Sequence, residues 1–124
     1  MRKALLAAIL LLLPGLARAE CLGITVPLKA FAFESKTVSS SAVGLTAATY
    51  APTGAVAASV AIVQVEAQPV RWSIASTPTA AIGHAAVDTN VIKLCGLADI
   101  AAFLAIRSGA TDSTLRVTYF RTVR

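Results

Sequence analysis

The sequence predicts an all-β domain, a small antiparallel β-sandwich of about seven to eight strands with one short helical turn. Short apolar segments are cut at close intervals by turn residues, and most of these segments alternate apolar and polar side chains with a period of two. The chain has 124 residues and shows no linker, charge run or internal repeat. Its length and uniform composition indicate a single domain.

The first half of the chain supplies the earliest predicted strands. They cover residues 28–33, 45–50 and 56–66, and a Pro-Thr-Gly turn separates the second from the third. In the first of them, Lys29, Phe31 and Phe33 alternate with smaller apolar residues and are expected to share a face. The third is apolar on both faces, as a central strand is. Pro69 then interrupts the ladder, because proline donates no hydrogen bond.

The second half continues the same pattern. Val70, Trp72 and Ile74 are expected to share one strand face, with Arg71 and Ser73 on the other. Further extended segments start at residues 82–84 and cover residues 91–95, 104–107 and 115–121, with turns at 76–78 and 88–90. In the last strand, the apolar residues at 115, 117 and 119 are predicted to face the core.

One segment departs from the period of two. It begins at Ala98 and ends at Phe103, and apolar side chains recur there at positions 97, 100, 101 and 104, which is helical spacing. Asp99 stands where a first-turn carboxylate favours the helix dipole. The segment is predicted to form one helical turn.

The N-terminal residues have the pattern of a cleaved export signal. Arg2 and Lys3 precede ten apolar residues at positions 4–13, and small residues at 17 and 19 stand before Glu20. The apolar run is too short to span a bilayer, which needs about 20 residues. The sequence therefore predicts a signal peptide over residues 1–19, a mature domain over residues 20–124 that starts at Glu20 and has no membrane span, and export to the periplasm or medium.

Removal of this leader changes the charge balance. The full chain has 11 basic and 6 acidic side chains, and without the three basic residues of the leader the mature domain carries a net charge of +2. This is not the footprint of a nucleic-acid-binding protein. Cys21 and Cys95 form an even pair in a predicted exported chain, which indicates a disulfide. Metal binding or reactive thiols are disfavoured, because no CxxC motif and no nearby histidine accompany them.

Catalytic residues are hard to find in the sequence. His84 is the single histidine and lies in an alanine-rich segment without a nucleophile motif, so it is interpreted as a surface or rim residue. The acidic residues of the mature domain do not occur in close pairs, and no glycine-rich phosphate loop is present. The serines at 39–41 are interpreted as a solvated loop or edge strand. We therefore expect no enzyme activity, no cofactor and no metal.

A few residues could form a binding surface. Arg71 and Trp72 could present a ligand platform, although strand alternation favours Trp72 as a core residue. Arg116 and Arg121 could meet an anionic surface, or could serve only to keep a terminal edge strand soluble. Together with His84, the three arginines are the candidate surface residues.

Three stretches of the chain carry a family resemblance. They are the Ser-Ala-Val-Gly-Leu-Thr stretch at 41–46, the Gln-Pro-Val-Arg-Trp stretch at 68–72 with Pro-Thr at 78–79 and Gly-His at 83–84, and the segments at 98–107 and 115–119. In this order they resemble small β-sandwich proteins of tailed phages and prophages, which are minor structural or decoration components of the virion. Residues 73–77 replace the Asp-Gly turn that is usual in that group.

The resemblance implies a non-enzymatic structural or interaction module with a protein partner or self-assembly, associated with a virion. Virion parts assemble in the cytoplasm and need no signal peptide, so either a phage-derived module has been recruited for export or the resemblance concerns the fold alone. The alternative function is an exported domain that binds a carbohydrate or another small ligand.

Overall fold

The computed structural model describes residue 21 and residues 27–123 of the chain. The predicted signal peptide and its cleavage site lie outside the described residues. The described residues form eight strands and two short helices: β1 (Leu28–Val38), β2 (Val43–Gly44), α1 (Ala47–Tyr50), β3 (Val60–Glu66), β4 (Val70–Ser73), β5 (His84–Ala86), β6 (Val91–Cys95), α2 (Leu97–Ala102), β7 (Leu104–Arg107) and β8 (Ser113–Thr122).

The strands build two four-stranded antiparallel sheets. Sheet A has the order β1-β8-β3-β6, and sheet B has the order β2-β7-β4-β5. The predicted all-β sandwich is therefore confirmed. In sheet A, β8 pairs with β1 on one side and with β3 on the other, so neighbouring strands of this sheet are distant in sequence.

The core lies between the two sheets and follows the alternation expected of strands that are solvated on one face. In β8, Leu115, Val117 and Tyr119 are fully buried, as predicted, while Arg116 between them is exposed. The core is completed by residues of both sheets and both helices, among them Val38, Tyr50, Ala61, Val63, Val65, Val70, Leu94, Ile100, Phe103 and Ala105.

A β-bulge in β1 separates two phenylalanines that simple alternation places on one face. The register with β8 shifts between Ala30 and Ala32, so one extra residue is accommodated and the following side chains change face. Phe31 packs against the core, whereas Phe33 is 60% exposed. The prediction that both share a face was therefore wrong, and the bulge is the reason.

The helical turn predicted after β6 is present as α2, one residue earlier than expected. Of its apolar stripe, Ile100 is buried and Leu97 is exposed. A second helix, α1, occupies part of the segment predicted as a strand at 45–50. Thr46, which precedes α1, is held by tertiary hydrogen bonds described below, and the strand pairing of this region is limited to the two residues of β2.

Cys21 and Cys95 are joined by a disulfide with a Cα–Cα distance of 5.1 Å. Cys95 ends β6 and stands opposite Val60 of β3 in the register. Val60 belongs to the strand face that points away from the core, yet it is only 5% exposed. The disulfide thus ties Cys21 to the outer face of sheet A, beside an apolar residue that is shielded from water.

Candidate functional site

Arg71, Trp72 and His84 lie on the neighbouring strands β4 and β5 at one edge of sheet B. Trp72 stands opposite His84 in the β4–β5 register, and their ring centroids are 4.8 Å apart. The Arg71 guanidinium donates a hydrogen bond of 3.2 Å to the carbonyl oxygen of Gly83. Arg71 pairs with Ala85 and Trp72 pairs with His84, so Arg71 and His84 lie on opposite faces of sheet B. β5 is an edge strand, and His84 is exposed to solvent.

Trp72 is neither an exposed platform nor a fully buried core residue. Its ring contacts the exposed His84 and the buried Phe103, and the Phe103 centroid is 5.8 Å away in a stacked arrangement. Trp72 is half-buried and packs against the core, as alternation indicates. The expectation that Ile74 shares its face was wrong, because β4 ends at Ser73 and Ile74 lies exposed beyond it.

The approach of β5 to β4 depends on glycine at position 83. Gly83 has φ of 129°, a conformation that residues with a side chain rarely adopt. A Cβ atom there would stand 3.0 Å from the Trp72 carbonyl oxygen and 3.1 Å from Cβ of Pro78. Gly83 therefore allows the chain to return closely along Trp72 and positions His84 against the indole.

The β4–β5 loop, residues 74–83, presents apolar side chains to water while keeping an ordered backbone. Thr79 and Ile82 exchange two backbone hydrogen bonds, and the Thr79 hydroxyl accepts a third bond from the Ile82 amide. Ile82 is nonetheless 68% exposed, and Ile74 and Val87 on either side are exposed as well. Residues 72–87 contain no Asp, Glu, Lys or Arg. Exposed apolar side chains in an uncharged segment make this loop a candidate contact region.

The other two predicted surface residues, Arg116 and Arg121, lie in sheet A. Both belong to β8, which pairs with β1 on one side and β3 on the other, so the interpretation of a terminal edge strand was wrong. Arg116 donates to Glu66 at 2.6 Å and to Ser35 at 2.9 Å. The hydrogen bond to Glu66, together with the mutual charge attraction, lowers the pKa of Glu66 and raises the pKa of Arg116. The four candidate residues therefore divide between the two sheets and do not form one surface.

A polar cluster that was not predicted from the sequence lies at β1, the edge strand of sheet A. It consists of Glu34, Lys36, Thr46 and Tyr119. The Glu34 carboxylate accepts hydrogen bonds from the Tyr119 hydroxyl and from the Thr46 amide, the latter at 3.0 Å. Lys36 donates to the Thr46 hydroxyl at 3.1 Å. Glu34 and Lys36 stand opposite buried residues of β8, so they point inward from an edge strand. Inward charges of this kind protect an edge against pairing with another chain.

The electrostatics of this cluster follow from its partial burial. Burial disfavours the charged form of Glu34, but the hydrogen bonds from Thr46 and Tyr119 outweigh it, and the pKa of Glu34 lies below its ordinary value. Burial and the nearby Glu34 carboxylate raise the pKa of Tyr119. The ionised carboxylate and the neutral phenol therefore stabilise each other in the folded state.

We expect Glu34→Gln to destabilise the domain by about 1–2 kcal/mol near pH 7, since the lost bonds have a charged acceptor that is partly open to water. A folded-state pKa below the unfolded value stabilises the fold above the unfolded pKa, and this contribution is lost as the pH falls through the folded pKa. The stability difference should therefore shrink from about pH 7 to about pH 3. Urea denaturation of the wild type and the variant at these two pH values measures the stability difference.

Glu66→Gln is the matched control for Glu34→Gln, because it removes a carboxylate that lies on an exposed surface. Exposed ion pairs contribute little, so this variant should keep the urea midpoint of the wild type at both pH values. Equal effects of the two substitutions would contradict a special role of the Glu34 cluster.

Within residue 21 and residues 27–123, no group of three or more His, Cys, Asp or Glu side chains is placed to hold a metal ion. In the same part of the chain, no helix has the length and apolar character needed to cross a membrane.

Comparison with known proteins gives no relative for this chain. No family model matches it, and no curated protein or solved structure matches it either. The class that the structure defines is a small antiparallel β-sandwich with a disulfide between its N-terminal segment and β6. Its function has to be inferred from its own surface.

Proposed function

We propose that the chain is a non-enzymatic structural or interaction module, exported after removal of residues 1–19, that binds another protein surface or assembles with itself. The observation that carries this proposal is the β4–β5 loop with its flanks, an ordered surface with exposed Ile74, Ile82 and Val87 and no charged side chain from residue 72 to residue 87. Burial of such side chains in a contact contributes about 25 cal/mol per Å².

The sequence resemblance supports the same class of function. Decoration and minor structural proteins of phages act by packing against other protein surfaces, and the matching stretches include residues 70–72 of β4, Pro78 and the Gly83-His84 pair beside this loop. The predicted signal peptide distinguishes an exported module from a component of a virion. We therefore propose an exported module of phage-like character, with virion association as the alternative location.

Site-specific photocrosslinking tests the proposed contact. The photoreactive residue p-benzoylphenylalanine is placed at position 82, in cells that naturally make the protein, and the adducts are identified by mass spectrometry. Position 91 is the matched control, because Val91 is 59% exposed but lies in sheet A. We expect a light-dependent adduct of defined mass at position 82 only. No adduct at 82, or equal adducts at both positions, would refute the contact surface.

The export part of the proposal has its own test. We expect the protein recovered from the periplasm or medium to begin at Glu20, because the small residues at 17 and 19 form the cleavage site. N-terminal sequencing and intact mass measure this directly. A full-length chain found in the cytoplasm would contradict it and would favour the virion-associated location.

The alternative function, an exported domain for a carbohydrate or small ligand, gains no support from Trp72. The indole already contacts the rings of both Phe103 and His84 and packs against the core, so it is not a free stacking platform. An observation that favours a small ligand lies elsewhere, at the end of sheet A where Arg121 is located.

A further inference from the structure

A groove opens at the end of the sandwich where β1 begins and β8 ends. Its cavity volume is about 360 Å³, and its lining consists of Lys29, Ala55, Val56, Arg121, Thr122 and Val123. This volume is within the range of sites for small molecules. Val56 and Val123 are exposed in the groove and supply apolar walls.

The two cations of the groove stand directly opposite each other. Lys29 of β1 is the register partner of Arg121 of β8. Like charges at opposite positions of an antiparallel pair repel and destabilise it. Among the described residues, neither cation forms an ion pair with an acidic side chain, since the ion pairs there join Arg107 to Asp112 and Arg116 to Glu66. An anion between the two side chains would relieve this repulsion.

The position of Arg121 is fixed by an aromatic ring. Its guanidinium carbon lies 4.7 Å from the centroid of the Phe31 ring, and Arg121 is half-buried. A guanidinium over an aromatic face keeps its N–H groups available for hydrogen bonds in a fixed orientation. The bulge in β1 is what turns Phe31 toward the core, and thus under this arginine.

We propose that this groove binds a carboxylate carried on a short apolar chain, with the carboxylate between Lys29 and Arg121 and the apolar chain along Val56 and Val123. Arg121 offers the paired donors that match a carboxylate, and Lys29 adds a second positive charge. The site is independent of the β4–β5 loop, because that loop belongs to sheet B and the groove to sheet A.

Chemical-shift titration of the isotope-labelled mature domain tests the site. Hexanoate and acetyl-Gly-Val with a free carboxylate are the two probes, and their neutral amides are the controls. We expect the amide signals of Val56, Thr122 and Val123 to shift with a carboxylate probe and not with its amide. A response to hexanoate alone identifies a free small acid, and a response to the dipeptide identifies the C-terminus of another protein.

Two variants locate the binding. Lys29→Gln and Arg121→Gln should each weaken the affinity about tenfold or more, while Arg116→Gln, on the same strand but outside the groove, should leave it unchanged. Because Lys29 is exposed, its variant should keep the wild-type spectrum and remains informative if the Arg121 variant is unstable. Absence of shifts with both carboxylates, equal shifts with the amides, or full affinity in Lys29→Gln would overturn the proposal.

Discussion

Replacing Cys21 and Cys95 together by serine is expected to lower the free energy of unfolding by about 4 kcal/mol. The two residues are 74 positions apart in the chain, and in the chain-entropy model the stabilisation grows with the length of the loop that the disulfide closes. For a domain of this size such a loss corresponds to a fall in melting temperature on the order of 15–30 °C. Calorimetry and urea denaturation of the oxidised wild type and the double variant measure it.

A loss of this size matters to the domain because several core positions hold only small side chains. Ala58, Ala61, Ala86 and Ala105 are all buried, and each removes little apolar area from water. Domains of about this size expose a large fraction of their surface, so their net stability is small and a covalent link is a large part of it. The expected effect is therefore a substantial share of the total stability.

Two controls separate the disulfide from other effects of the substitutions. The reduced wild type should have the same melting temperature as the double variant. Ser40→Ala, at an exposed loop position, should have the same melting temperature as the oxidised wild type. Thiol counting on denatured, unreduced protein should find no free thiol. Two free thiols per chain would show that the bond is absent. A double variant with the melting temperature of the oxidised wild type would show that the bond does not stabilise the domain.

The expected dependence of stability on the disulfide also bears on the compartment in which the domain is stable. A disulfide persists in the periplasm or outside the cell and is reduced in most cytoplasms. A domain that loses about 4 kcal/mol on reduction is suited to an oxidising compartment, which agrees with the export that we propose. The two proposals can fail separately, since the cleavage site is tested by sequencing and the disulfide by thiol counting.

Local patterns predicted the elements whose formation is decided by neighbouring residues. Alternation in β8 identified Leu115, Val117 and Tyr119 as core residues, and all three are fully buried. Helical spacing identified α2. In both cases the periodicity of side chains along the element determines which of them can be buried, so a single segment contains the information.

Features set by distant partners could not be predicted in this way. The position of β8 between β1 and β3 depends on pairings across the whole chain. The helix α1 follows Thr46, which is held by Glu34 and Lys36 from β1. The bulge that moves Phe31 inward appears only in the register with β8. These contacts are tertiary, and tertiary contacts override local propensity.

The same limit applies to the candidate sites. The sequence analysis identified Arg71, His84, Arg116 and Arg121 as candidate surface residues one by one. Only the strand order shows that they divide between two sheets. Lys29 was not among the candidates, and it becomes one solely because the register places it opposite Arg121. The β4–β5 loop differs, because the lack of charged residues from 72 to 87 is a property of the sequence itself and marks this segment without any knowledge of strand pairing.

Phe103→Ala is expected to destabilise the domain by about 3–5 kcal/mol, the usual cost of removing a fully buried aromatic side chain. Phe103 is completely buried between α2 and β7 and stacks on Trp72. Trp72→Ala should cost less, about 2–3 kcal/mol, because Trp72 is only half-buried and leaves a smaller cavity. The fully buried Phe103 is therefore expected to contribute more to stability than the half-buried Trp72.

Trp72 is the single tryptophan of the chain, so its fluorescence reports on this stack. Phe103→Leu preserves much of the buried volume and should cost about 1–2 kcal/mol, which keeps the domain folded for the measurement. The tryptophan emission of this variant should be shifted to the red relative to the wild type, because the indole loses its buried partner and gains water.

Phe33→Ala is the control. Phe33 is exposed on sheet A, so both the tryptophan emission and the urea midpoint should stay as in the wild type. If Phe33→Ala destabilised the domain as much as Phe103→Ala, or Phe103→Leu left the emission unchanged, the stacked pair would not be the aromatic centre of the core.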